Sequence, residues 1–212
     1  MGRLIAIEGQ DGSGKSTLAE GLTTAWQAAG AKVARLKFPR YGEVHADLIK
    51  EILYRQHGDA GESVYGMGLL YALDRRDAIS EIEDALKNHD VLLIDRYVAS
   101  NAAYQAARLY QGADGEVVEW VRKIEIERFG IPVPDAQILL QLTLSVAVER
   151  MDQRARLDAA RGKDFFEADD DLQTRCAKVY AQLADMKWLS PWYSVESNSE
   201  LDVDSLAAEL LG

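Results

Sequence analysis

Leu4-Ile5-Ala6-Ile7-Glu8-Gly9-Gln10-Asp11-Gly12-Ser13-Gly14-Lys15-Ser16-Thr17 decides how this chain is read. An apolar run predicts a strand, and a glycine-rich loop with the spacing GxxxxGK[ST] follows it. From Ser16 onward Leu18, Leu22, Ala25, Trp26 and Ala29 recur at helical spacing until Gly30 stops the pattern. Glycines let successive backbone N–H groups converge on phosphate oxygens, and the helix that follows adds the positive end of its dipole. The loop from Gly9 to Thr17 therefore reads as a phosphate-binding loop, with Lys15 reaching the β- and γ-phosphates of a nucleotide and Ser16 reaching Mg²⁺. A ligand-free glycine turn is the alternative, but the motif has the strand before it and the helix after it that phosphate binding requires.

Outward from the loop, strand-like runs recur at 4–8, 33–38, 91–95, 136–142 and 193–196, with helical patterns between them. That alternation predicts a parallel sheet in an α/β domain. Val91-Leu92-Leu93-Ile94 is continuously apolar, as expected of a strand covered on both faces and near the sheet's centre. Pro132 and Pro134 follow a helix expected to end near Phe129-Gly130, and Gly112 with Gly115 marks an exposed loop. Neither reads as a linker, so the 212 residues, 48% of them hydrophobic, are expected to form one domain, 1–212.

The formal net charge of −11 disfavours nucleic-acid backbones and anionic membranes, so the expected partner is a small anion held by a local group of cations. Cys176 is the only cysteine, which excludes an internal disulfide and cysteine-rich zinc sites. No apolar run approaches the roughly 18 residues that span a bilayer, and the start of the chain shows no leader pattern. The expected location is the cytoplasm.

Asp95 closes the central apolar strand, where a carboxylate can orient Mg²⁺ or a nucleotide-bound water; capping the next turn is the plainer account. Arg96 beside it favours a metal and a phosphate side by side, since arginine binds phosphate bidentately. Arg150, Arg154 and Arg161 share one face of a continuous helix, which reads either as a salt-bridged solvated surface or as a mobile lid at about 149–167 that closes over the transferring phosphoryl. Asp169-Asp170-Asp171 reads as a helix start. Phe38-Pro39-Arg40-Tyr41 and Tyr71-Ala72-Leu73-Asp74-Arg75-Arg76 mix aromatics with cations, as a base-stacking and phosphate-anchoring site would, although core packing explains Phe38 or Leu73 alone.

Taken together, these segments, with Asp95-Arg96-Tyr97-Val98-Ala99-Ser100-Asn101-Ala102-Ala103-Tyr104, resemble the thymidylate kinases over nearly the entire chain. The stretch from Asp95 to Tyr104 is the most specific and is similar to actinobacterial members. The resemblance implies a three-layer P-loop NTPase fold, with a five-stranded parallel sheet between helices and a mobile lid. It implies the conversion of dTMP to dTDP by ATP and Mg²⁺ for dTTP synthesis. Asp11 would meet the deoxyribose 3′-OH and Arg96 the dTMP phosphate, while Tyr71, where phenylalanine is usual, would stack on thymine. Arg75 and Asn101 would bond the base edge, and Tyr104 would crowd the sugar's 2′ position. Phe38, Arg40, Tyr41 and Ser100 complete the implied acceptor site.

The resemblance implies an arginine either in the phosphate loop or in the lid; the loop here carries Gln10 and Ser13, so the lid is implied to supply that charge, with Arg154 assigned first among Arg150, Arg154, Arg156 and Arg161. Ser16, Asp95 and Glu167 are the candidate metal ligands. A homodimer is implied through helices flanking residues 65–85 and 101–110, and Ala99, Ala102, Ala103, Ala106 and Ala107 would permit close helix contact there or inside one subunit. Two rivals stand beside this reading. Another P-loop nucleoside or nucleoside monophosphate kinase would share the loop but not the acceptor site. A nucleotide switch would be expected to specify guanine through an Asn-Lys-x-Asp pattern, which this sequence lacks.

Overall fold

The computed structural model describes residues 1–142, 170–197 and 201–211. Five strands, β1 (Arg3–Glu8), β2 (Val33–Lys37), β3 (Val91–Asp95), β4 (Ala136–Gln141) and β5 (Trp192–Glu196), form one sheet in the order β2-β3-β1-β4-β5. Every pairing is parallel. The continuously apolar β3 is buried at all five positions but lies one place from the centre, which β1 occupies.

Side chains of β1 alternate between two cores, as strand geometry requires. Leu4 and Ala6 face a large cluster built with α3 (Val64–Asp77), α5 (Val98–Arg108), α6 (Glu116–Arg122) and α7 (Asp170–Asp185). Ile5 and Ile7 face a smaller one that includes Leu18, Leu22 and Trp26 of α1 (Lys15–Ala28) and Leu206, Ala207 and Leu210 of α8 (Val203–Leu211). Trp26 Nε1 ties these two helices by donating to the Ala207 carbonyl at 2.9 Å. Helices on both faces make the three-layer arrangement expected of a parallel sheet. The remaining helices are α2 (Val44–Leu53) and α4 (Ile79–Asn88).

Three expectations are refined. Ala99, Ala102, Ala103, Ala106 and Ala107 are each 0% exposed, so these small residues bring α5 close to its neighbours inside the subunit. The turn at Gly112 and Gly115 is half-buried, with Ala113 only 5% exposed. Past α6 the chain continues as a π-helical turn, Lys123–Arg128, before Gly130 ends it with φ of +71°.

Candidate active site

The chain leaves β1 toward β2 on one side and later returns to β4 on the other, so the loop after β1 lies where the sheet's connections diverge. In open parallel sheets that crevice, beyond the strands' C-terminal ends, is the ligand site. Gly9 has φ of +139°, and a Cβ there would lie 2.5 Å from the Leu140 carbonyl oxygen, so only glycine fits. Gly14, at φ of +97°, turns the chain into α1, whose first residue is Lys15. The lysine folds back over the loop, with Nζ donating to the carbonyls of Gly9 (3.1 Å) and Gln10 (2.6 Å). Burial, and next the Arg96 guanidinium, push the Lys15 ammonium down to about 7, against the pull of Asp11, Asp95 and Glu8. An anion on the loop would restore its charge.

Arg96 follows β3 with φ of +66°, a conformation unusual for a side chain of its size. It is clamped to β1 on both sides: its own N–H donates to the Ile7 carbonyl, and the next N–H, of Tyr97, donates to Glu8 Oε1, both at 2.9 Å. Glu8 is wholly buried and accepts Ser100 Oγ on its other oxygen, and Ser100 Oγ lies 2.8 Å from the Tyr180 hydroxyl. The Arg96 guanidinium reaches across to Asp11 at 2.5 Å, and the Tyr104 hydroxyl donates to the other Asp11 oxygen at 2.7 Å. Burial alone would raise the Asp11 pKa; Arg96, Lys15 and the Tyr104 bond outweigh it and hold it at about 2. At neutral pH Asp11 is therefore an anchor and an acceptor, not a base. Burial holds the Tyr104 proton in place, so that hydroxyl stays a donor.

Beside this charged end opens a cleft of about 600 Å³, counting its mouth. Asp11, Arg96, Ser100 and Tyr104 belong to its charged lining, and Phe38, Tyr41, Tyr71, Arg75, Asn101 and Gln105 are among the other lining residues. Arg40 is not on that wall. Asp74, 1% exposed, takes its Nε and its backbone N–H, both at 3.0 Å, and Glu81 lies 3.4 Å from Nη1, so it staples the segment after β2 to α3. Arg75 points inward and meets Glu125 of the π-helical turn in a buried two-point ion pair, at 2.5 and 2.6 Å. Asn101 Nδ2 donates to the same carboxylate at 2.8 Å.

Asp95 ends β3 at 6% exposed; its Oδ2 lies 3.5 Å from Lys37 Nζ, and Oδ1 is buried with no hydrogen-bond partner. Such an orphaned oxygen is costly unless something binds it. Near the hydroxyl-bearing start of α1 it suits Mg²⁺, which takes one or two protein oxygens and fills its remaining positions with water and phosphate. Among the described residues no group of three or more His, Cys, Asp or Glu could hold a metal alone. Ser16 is exposed on the first turn of α1. Arg150, Arg154, Arg156, Arg161 and Glu167 lie outside the described residues.

Reading the sequence missed Glu8, Gln105, Glu125 and Tyr180. Glu125 was detectable as an acid four residues beyond Val121 on the buried stripe of Val117, Val118 and Val121. Glu8 stood out only as a carboxylate ending an apolar strand. Nothing local marked Gln105 or Tyr180.

The thymidylate kinase family model matches residues 7–200. Thymidylate kinase of Mycobacterium tuberculosis is 49% identical over 208 residues, 98% of this chain and 96% of the relative. The human thymidylate kinase is 27% identical over 201 residues, 95% of this chain and 85% of the relative. A solved thymidylate kinase from Candida albicans, 24% identical, superposes with a TM-score of 0.70 over 99% of this chain and 89% of its own, and so shares the fold. Among the described residues no helix is long and apolar enough to cross a membrane. Matched from strand β1 to beyond β5, and at nearly half identity to a named relative along almost its full length, the chain belongs to the thymidylate kinase family and is a kinase.

Proposed function

We propose that this chain phosphorylates dTMP to dTDP, with ATP as the donor and Mg²⁺ as the cofactor, as a homodimer of one-domain subunits in the cytoplasm. The observation that carries the reading is Arg96: it stands between the phosphate loop, through Asp11, and a cleft whose far wall offers aromatic faces and base-edge partners. A phosphate-bearing nucleotide fits that order of charge, then ring, then polar edge.

The acceptor is a phosphate monoester with a second pKa of about 6, so at neutral pH it is mostly a dianion and needs no general base. The barrier is charge: that dianion must approach the ATP tail while negative charge spreads over the transferring oxygens. Lys15 takes the donor phosphates and Arg96 the acceptor phosphate. Asp11 keeps Arg96 aimed until the phosphate arrives and then accepts the sugar 3′-OH. Tyr71 stacks on the base, Arg75 and Asn101 bond its edge, and Tyr104 crowds the 2′ position. Phe38, Tyr41 and Ser100 complete the wall, and Arg40 serves the acceptor site by holding the segment that carries Phe38 and Tyr41. The backbone from Gly9 to Thr17 wraps the donor phosphates. Ser16 and Asp95 are the residues that would hold Mg²⁺, with Glu167 assigned from sequence alone, and the ion would supply neutralisation of phosphate charge. Arg154 is likewise assigned from sequence as the lid arginine, so Arg154→Ala should lower turnover more than it weakens dTMP binding.

The test is a coupled ADP-release assay across dTMP, dUMP, dCMP, dGMP and thymidine, with and without Mg²⁺. Mg²⁺-dependent release with dTMP and little with thymidine is expected. Preference for thymidine would move the chain to the nucleoside kinases, and nucleotide binding without dTMP-dependent ADP release would make it a switch.

A further inference from the structure

The cleft's far wall carries a hydrogen-bond polarity that is set by the neighbours of the residues a base edge would meet. Asn101 has one carboxamide, and either of its ends could be turned toward a base. Nδ2 lies 2.9 Å from the Gly68 carbonyl and 2.8 Å from Glu125 Oε1, two groups that only accept. Both amide protons are therefore spent on the protein side. Along the wall, Arg108 Nη1, which only donates, meets Oε1 of Gln105, itself a lining residue, at 3.1 Å, so Gln105 must turn Nε2 toward Asn101 Oδ1, 3.2 Å away. Gln105 and Glu125 thus agree on one orientation, in which Asn101 keeps a second lone pair on Oδ1. Glu125 also engages Nε and Nη2 of Arg75, leaving Nη1 with no hydrogen bond to the described residues. Arg75 and Asn101 both line the cleft.

We propose that Glu125, supported by Gln105, is the positioning residue that sets base specificity: it fixes the wall as a donor (Arg75) beside an acceptor (Asn101 Oδ1). That pair matches a pyrimidine with a carbonyl next to a ring N–H, as in thymine and uracil. It opposes cytosine, whose exocyclic amine donates at the carbonyl's place and whose ring nitrogen accepts. The inference rests on the dTMP kinase reading. The π-helical turn that carries Glu125 supports it, since such turns are rare and concentrate at functional sites. An acid there can only accept, and so reinforces the orientation that the Gly68 carbonyl also favours. Glutamine could donate to Asn101 Oδ1 and let that carboxamide invert.

The experiment compares kcat/KM for dTMP, dUMP and dCMP in the wild-type chain, Glu125→Gln and Gln105→Met. In Glu125→Gln the dTMP:dCMP ratio is expected to fall by about tenfold or more, the scale on which one two-point base contact discriminates. The dTMP:dUMP ratio, which reads only the methyl group, should stay within about twofold, because the methyl contact does not involve this network. Gln105→Met, which leaves the buried ion pair intact, should shift the dTMP:dCMP ratio the same way by less, so the proposal survives a Glu125→Gln protein that does not fold. A wild-type chain with no preference for dTMP over dCMP would sink the dTMP reading itself. Normal wild-type preference, with both variants keeping the dTMP:dCMP ratio or losing all three substrates equally, would overturn the role of Glu125 alone.

Discussion

Among the described residues two arginines line the cleft, and they are held in opposite ways. At the phosphate end Arg96 meets Asp11 through one nitrogen, and the partners' side chains stay 14% and 31% exposed. At the base end Arg75 meets Glu125 through two nitrogens, with both side chains at 2% exposure or less. A single, partly wet contact yields when a dianion competes for the guanidinium, whereas a buried two-point pair does not. The first arrangement suits a cation that must change partners during a reaction. The second suits one that must present the same face to every base it tests.

That contrast is open to attack in order of expected effect. Glu125→Ala leaves a buried guanidinium unpaired, which should lower unfolding stability by about 3–5 kcal/mol in denaturant titration. Asp11→Ala, at the wetter pair, should cost less, about 2 kcal/mol at neutral pH; equal losses would erase the distinction. Lys15→Ala and Arg96→Ala should each lower kcat roughly 10²- to 10³-fold at unchanged fold, read by ADP release together with circular dichroism. A folded Lys15→Ala protein with near-normal turnover would remove the loop's catalytic role.

Proton uptake gives a finer reading of the wet end. With its folded pKa lowered to about 7, Lys15 is mostly neutral near pH 8 in the free protein, and bound phosphate should recharge it. Calorimetry of ATP binding in buffers of different ionisation heat should therefore show uptake of up to about one proton near pH 8, lost in Lys15→Arg. For stability the sign is the reverse of a salt bridge: the unfolded lysine binds the proton more tightly, so Lys15 destabilises the free fold below about 7, and this cost lifts as pH rises toward its unfolded value. The smallest effect is expected from Tyr104→Phe. It removes one hydrogen bond to Asp11 but keeps the ring, so dTMP affinity should fall by about tenfold or less in a binding titration.

How much of this was legible differs between the two ends for the same reason. The proposed phosphate loop is contiguous, and the chemistry proposed for it lies in backbone N–H groups that a glycine spacing announces, so Gly9 to Thr17 could be read as a string. Arg75 and Asn101 could be placed at the base edge by resemblance, but their partner Glu125 lies 50 residues from Arg75 and 24 from Asn101. Arg40 shows the same limit: its local company of aromatics pointed to a ligand, and its contact with Asp74, 34 residues on, only a folded chain brings about.

By itself the sequence determined the parallel sheet and the glycine-turned loop between β1 and α1, because strand and helix periodicity and glycine spacing act over a few residues. Only the tertiary structure decided which carboxylates Arg40, Arg75 and Arg96 meet, that Glu8 braces the left-handed backbone at Arg96, and that Asn101 Nδ2 is bonded to the Gly68 carbonyl and Glu125. Those outcomes depend on burial. A hydrogen bond or ion pair becomes directional and costly to break only once packing has removed the water that would otherwise satisfy it.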